Sequence, residues 1–181
     1  EVRANLQIVD DAARKARLGL CLKHYPGLGG ATVNSHTDLT DLSATIDERQ
    51  LELFYEWGAK IYGNSLIVSH GVVKQWDSKF PVSMSPAAIS RLRARLPGTV
   101  LMTDDLQMQG LQKILPSRDA CLQAVRAGVD LIIIGNNLMA EDGAVLTYAA
   151  ALEQALTGDR ALKENAQSSL KRMTGLKELL H

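Results

Sequence analysis

Four short apolar runs alternate along this chain with longer segments of helical periodicity. The runs are GLCLKH at 19–24, SLIVSH at 65–70, TVLMTD at 99–104 and VDLIIIG at 129–135. Each run is short and continuously apolar, which is typical of a parallel strand that is covered on both faces. Strands that alternate with helices predict β/α units and therefore an α/β fold with a parallel sheet.

The segments between and around the runs carry helix signals. Thr45, in TIDE, has capping-box spacing before an amphipathic stretch and predicts a helix start there. Ser85 and Pro86 offer an N-cap and a first-turn proline, and Gly128 is suited to end a helix. The predicted helices are 1–18, the stretch from TIDE (45–48) through RQLELFYEW, AAISRLRARL (87–96), about 118–127, about 144–157 and about 159–179.

Composition indicates a single globular domain, 1–181. The chain is 46% hydrophobic and 22% charged, and it shows no repeat, linker or low-complexity tract. Twenty basic residues balance twenty acidic ones, so no overall field attracts nucleic acid or an anionic membrane, and a small neutral ligand fits better. No run approaches the roughly 20 apolar residues of a membrane span. Cys21 and Cys121 lack metal or disulfide spacing, so both are expected to be buried thiols.

Polar residues follow each of the apolar runs. They are Lys23 and His24, then His70, then Asp104 and Asp105, and finally Gly135 to Asn137. In parallel α/β folds the carboxyl ends of the strands border the ligand site, because the loops that leave them converge there. Any one of these residues could be a solvated loop residue or a structural histidine. Their occurrence at four successive strand ends indicates a site.

Five motifs resemble those of one enzyme family, the β-N-acetylhexosaminidases of glycoside hydrolase family 3. That family carries KHFPGHG, DSH, PASLS, SDDLSM and AGxDxxL in this order, and the resemblance covers about residues 19–140. It implies a TIM-type (β/α)8 barrel and an enzyme that needs neither metal nor organic cofactor. The matching motifs are KHYPGLG (23–29), NSH (34–36), PVSMS (81–85), VLMTDDLQMQG (100–110) and AGVDLIIIGNN (127–137).

The resemblance also implies that the chain is half of a barrel. A closed barrel needs eight strands and typically about 250 residues, whereas only four strand-like runs occur here. The matching motifs fall in the second half of the family's barrel, so the chain resembles the C-terminal half, with about four β/α units. Because a half-barrel exposes two sheet edges and apolar surface, we expect it to pair with another half, with itself, or within a longer polypeptide.

Two residues match the catalytic groups of the family. A retaining glycosidase needs a carboxylate nucleophile and a second group that protonates the leaving oxygen and later activates water. Asp104 matches the nucleophile and His36 matches the acid/base, for which a pKa of about 6.5 is suitable. Asp105 should face away from Asp104 and could cap the next helix. Lys23, His24 and His70 are expected to contact the sugar.

Two positions depart from the family pattern. Asn34 replaces the aspartate that orients the acid/base histidine, and a neutral amide fixes a tautomer without stabilising an imidazolium. Asp38, two residues beyond His36, could supply the missing charge from the other side of the loop. Leu28 stands where the family commonly has histidine, which removes a polar group from the loop.

Three functions remain open at this point. The resemblance implies a retaining exo-β-N-acetylglucosaminidase for peptidoglycan-derived or chitin-like amino sugars. The second possibility is a sugar-binding relative weakened by Asn34, Leu28 or the missing half. The third is a phosphate-binding barrel in which PGLGG is a glycine-rich loop, although no Walker-type lysine and serine follow it. We expect cytoplasmic residence, the default for peptidoglycan-recycling members, but the chain opens on Glu1 and an export signal upstream stays open.

Overall fold

The computed structural model of the chain describes residues 1–31, 38–135 and 142–180. Within these ranges the predicted strands and helices are confirmed, with shifts of a few residues at their ends. None of the helices in the described ranges combines the length and apolar character needed to cross a bilayer. The elements are α1 (Val2–Ala16), β1 (Cys21–Tyr25), α2 (Glu48–Gly58), β2 (Ser65–Val68), α3 (Pro86–Arg95), β3 (Val100–Asp105), α4 (Gln109–Gln112), α5 (Ser117–Ala127), β4 (Leu131–Ile133), α6 (Ala144–Leu156) and α7 (Arg160–Leu180), with a 3-10 turn at Val82–Met84 before α3.

The four strands form one parallel sheet in the order β1-β2-β3-β4. Leu22 lies opposite Leu66, which lies opposite Leu101, and Met102 lies opposite Leu131. Strand order therefore follows chain order, with helical crossovers between neighbouring strands. This is the arrangement of successive units in a (β/α)8 barrel.

The core lies between one face of the sheet and the helices. Leu66 and Leu101 have no exposed surface, and they pack in the same cluster as Leu51 of α2 and Leu92 of α3. Burying a leucine side chain contributes roughly 1.5–3 kcal/mol, so this layer supplies much of the stability.

The opposite face of the sheet is open. Successive strand residues point to opposite faces, so Ile67 and its neighbours Met102 and Leu131 lie on this second face, where all three are only half-buried. Cys21 is exposed at the start of β1. The predictions that the strands are covered on both faces and that Cys21 is buried are therefore wrong, because the helices of the described ranges cover only one side of this sheet.

Three helix ends were predicted, and two of them are confirmed. Ser85 Oγ accepts a hydrogen bond from Ala88 N at 3.1 Å, and Gly128 ends α5 with φ 102°. The capping box at Thr45 is wrong, because Asp47 caps α2 by accepting a hydrogen bond from Arg49 N at 2.9 Å. The Thr45 hydroxyl instead donates to Leu42 O at 3.2 Å, in a turn that precedes the helix.

Helix α7 ties together two distant parts of the sheet. Arg172 Nη2 contacts Asp130 Oδ1 at 2.8 Å, next to the start of β4. Closer to the C-terminal end of α7, Leu179 O accepts a hydrogen bond from the Tyr62 hydroxyl at 3.1 Å, just before β2. The helix thus braces the amino-terminal edge of the strands.

Candidate active site

Two ionisable side chains meet at the carboxyl ends of the strands. Asp104, near the end of β3, and His24, in β1, belong to strands that β2 separates. His24 Nε2 lies 3.8 Å from Asp104 Oδ2, and the two side chains remain 28% and 22% exposed. The pair can therefore form an ion pair when the histidine is protonated, and a ligand can still reach the carboxylate.

The Asp104 carboxylate is held by the main chain on one side. Its Oδ1 accepts a hydrogen bond from Asp105 N at 3.0 Å, while Oδ2 faces His24. A hydrogen bond to one oxygen limits rotation of the carboxylate without using both of its oxygens. This arrangement suits a nucleophile, because one oxygen orients the group and the other remains available.

Asp105 has a different role from its neighbour. Its Oδ1 accepts hydrogen bonds from Gln107 N and from Gly135 N, each at 3.0 Å. The side chain therefore caps the turn that follows β3 and ties it to the segment after β4. Asp105 was expected to cap the next helix, but Met108 is at the N-cap of α4, and Asp105 caps the preceding turn instead.

His70 contacts the main chain of Asp105, next to the candidate nucleophile, and is only 5% exposed. Its Nδ1 is 2.7 Å from Ser83 Oγ, and its Nε2 is 3.1 Å from the main-chain oxygen of Asp105. Burial lowers the pKa of His70, and the nearby charge of Asp104 opposes that shift without reversing it. Protein groups occupy both ring nitrogens, and His70 lines the pocket beside Asp104, so its expected contact with a sugar stays a prediction.

A small pocket opens beside Asp104 and His70. Leu28 lines it, so the apolar replacement seen in the sequence lies next to the candidate nucleophile. Asp38 also lines the pocket, and its carboxylate forms an ion pair with Lys113. Both side chains of this ion pair are more than half exposed, Asp38 at 54% and Lys113 at 60%.

A family model described as "Glycosyl hydrolase family 3 N terminal domain" matches residues 7–176. The chain belongs to glycoside hydrolase family 3. It is 30% identical over 177 residues to "Beta-hexosaminidase A" of Pseudoalteromonas piscicida, covering 88% of this chain and 30% of the relative. An "Uncharacterized secreted glycosyl hydrolase" of Arthroderma benhamiae is 27% identical over 166 residues, covering 88% of this chain and 46% of the relative.

A solved family 3 structure gives the same assignment from the fold. The β-N-acetylglucosaminidase from Paenibacillus sp. str. FPU-7 superposes with a TM-score of 0.78 at 26% identity, covering 94% of this chain and 33% of that one. The predicted TIM-barrel fold class is thereby confirmed. The chain spans less than half the length of each of these relatives.

Some family motifs fall outside the described residues. Asn34 and His36 lie in the range 32–37, and the two asparagines of GNN lie in 136–141. Their predicted roles, including the orientation of His36 by Asn34 and the charge supplied by Asp38, stay predictions.

Lys23 is exposed in β1, two residues after Cys21 and on the same open face of the sheet.

The structure adds one residue that the family motifs contain but the sequence did not single out. Ser83, the central residue of PVSMS, is fully buried and bonded to His70. The available signal in the sequence was a serine at the centre of a motif that matches the family pattern. Across ranges 1–31, 38–135 and 142–180, no cluster of three or more His, Cys, Asp or Glu side chains is arranged to hold a metal ion.

Proposed function

We propose that this chain is part of a retaining exo-β-N-acetylglucosaminidase that removes terminal N-acetyl amino sugars from cell-wall or chitin-like glycosides. The observation that carries the proposal is the Asp104 carboxylate, partly exposed at the end of β3 and 3.8 Å from His24. A carboxylate at the carboxyl end of a barrel strand is well placed to attack a bound sugar.

The reaction proceeds by double displacement. Asp104 Oδ2 attacks the anomeric carbon, the bond from that carbon to the leaving oxygen breaks, and His36 donates its proton to this oxygen. Water then attacks the glycosyl-enzyme, His36 takes a proton from the water, and the Asp104 carboxylate is released. Asn34 orients His36, and Asp38 is a candidate for the charge that Asn34 does not provide.

Recognition of the sugar rests on side chains at the end of β1. Lys23 is exposed and His24 is partly exposed, so their donors can meet sugar hydroxyls. A preference for amino sugars is supported by the relatives named β-hexosaminidase and β-N-acetylglucosaminidase.

We propose that the chain corresponds to the C-terminal half of the barrel and that a second half covers its open sheet face. The half-buried Ile67 and Met102 and the exposed Cys21 form the surface that such a half would cover. The covering half belongs to the same polypeptide, or to a second copy of this chain. For the whole protein we propose a cytoplasmic location, as in peptidoglycan recycling.

Hydrolysis of 4-nitrophenyl N-acetyl-β-glucosaminide tests this function. A version extended upstream should release nitrophenol, and Asp104→Asn should abolish the release; the same assay on the chain alone shows whether it needs the other half. Asp119→Asn, a surface carboxylate that is 49% exposed, is the matched control and should retain activity. Binding of N-acetylglucosamine without turnover in both versions would instead support a sugar-binding relative that has lost activity.

A further inference from the structure

We propose that His70 is a positioning residue: its ring joins the Ser83 hydroxyl to the main-chain carbonyl of Asp105 and so fixes the backbone beside the nucleophile. This inference rests on the proposed function for the role of Asp104. Nδ1 lies 2.7 Å from Ser83 Oγ, and Nε2 lies 3.1 Å from Asp105 O. His70 is 5% exposed and Ser83 has no exposed surface, so the bond between them is shielded from solvent.

The two partners determine where the imidazole proton lies. A main-chain carbonyl can only accept, so Nε2 carries the hydrogen and donates to Asp105 O. In the neutral ring Nδ1 is then an acceptor, and the Ser83 hydroxyl donates to it. The nearby carboxylates of Asp104 and Asp105 favour the charged ring, but burial outweighs them and keeps the pKa of His70 below its ordinary value.

The hydrogen bond between His70 and Asp105 O acts on Asp104 through a single residue, Asp105. Asp105 O is held by His70, and Asp105 N donates to Asp104 Oδ1 at 3.0 Å. Both bonds flank the same α-carbon, so a displacement of the Asp105 main chain would move the hydrogen bond that orients Asp104. Met108 N is a second donor to Asp105 O at 3.1 Å, and it lies in the same turn rather than in a neighbouring strand. His70 is thus the donor that links Asp105 O to the end of β2.

The main chain next to His70 also holds Ser83 in place. Its N donates to Ser69 O at 3.2 Å, the residue just before His70. The end of β2, the 3-10 turn and the end of β3 therefore form one hydrogen-bonded frame around the imidazole. An imidazole whose two nitrogens both hydrogen-bond to protein groups positions those groups and does not bind a sugar.

Two substitutions separate positioning from the other possible roles. In His70→Gln the amide nitrogen can reach the place of Nε2 and keep the bond to Asp105, whereas in His70→Asn the shorter amide stays near Nδ1 and loses it. We expect His70→Asn to lower kcat roughly 10–100-fold and His70→Gln to lower it by only about threefold, with KM within about twofold for both. A matched rise in KM in both variants would show that His70 is a sugar ligand. Equal losses of stability with unchanged kcat per folded molecule would show a purely structural role.

The protonation state gives a readout that does not need turnover. In ¹⁵N-histidine NMR spectra, the signal missing from His70→Asn identifies His70 among the four histidines of the chain. It should show the Nε2–H tautomer of a neutral ring at pH 7, and Ser83→Ala should shift the Nδ1 resonance. An Nδ1–H tautomer or a ring charged at pH 7 would overturn the inference. Absence of turnover in both the chain and its upstream extension would contradict the proposed function, while the tautomer still decides this hydrogen-bond assignment.

Discussion

Replacing Asp130 by asparagine should lower the free energy of unfolding by about 3–5 kcal/mol, the cost of breaking a buried ion pair. The Asp130 side chain has no exposed surface, and its partners Arg93 and Arg172 are only 17% and 19% exposed. Its oxygens also accept from Leu101 N at 2.9 Å and from Ser169 Oγ at 2.7 Å. An amide of the same shape offers one accepting oxygen and turns its NH₂ group toward donors, leaving two buried guanidinium groups without a negative charge.

Urea unfolding followed by circular dichroism measures this loss. The control is Asp119→Asn, whose carboxylate is 49% exposed and lies 3.7 Å from Arg118. An exposed pair of this kind contributes less than about 1 kcal/mol. If the two variants lost stability to within about 1 kcal/mol of each other, the reasoning that Asp130 joins β4 to α3 and α7 would be refuted.

Two further predictions concern packing at the site and the open face of the sheet. Gly110→Ala should lower the free energy of unfolding by about 1–3 kcal/mol in urea titrations, because a Cβ there would lie 2.5 Å from the main-chain carbon of Asp38. Gly175→Ala, with nothing within 4 Å, should instead raise it by about 0.5–1 kcal/mol, and equal effects would contradict this account. A thiol reagent at pH 8 should modify Cys21 in the native chain but Cys121 only after unfolding, since Cys121 is 2% exposed and burial raises its pKa to about 11. Modification of both or of neither in the native chain would contradict the burial described, and an upstream extension that closes the barrel should protect Cys21.

Hydrophobic pattern alone was enough to predict the strands, because each run is short, apolar and followed by a polar residue. The pattern could not tell how many faces of the sheet are covered, which is why Cys21 was expected to be buried. The start of α2 was misplaced for a local reason: the Thr45 hydroxyl serves a preceding turn, and Asp47 takes over the cap.

The sequence predicts those residues of the candidate site whose position follows from the strand ends alone. Asp104 and His24 follow different apolar runs, and the sheet order brings them to 3.8 Å. The surroundings of His70 were not predictable, because its partners Ser83 and Asp105 lie 13 and 35 residues away in the chain. Only folding shows that both ring nitrogens are occupied.

The most direct test of the central claim is covalent trapping of the nucleophile. A 5-fluoro N-acetylglucosaminyl fluoride forms a slowly hydrolysed glycosyl-enzyme, and peptide mass spectrometry locates the modified residue. The account predicts one sugar per active site, attached to Asp104, with no labelling of Asp104→Asn. A sugar attached to any other residue, or turnover that continues in Asp104→Asn, would contradict it.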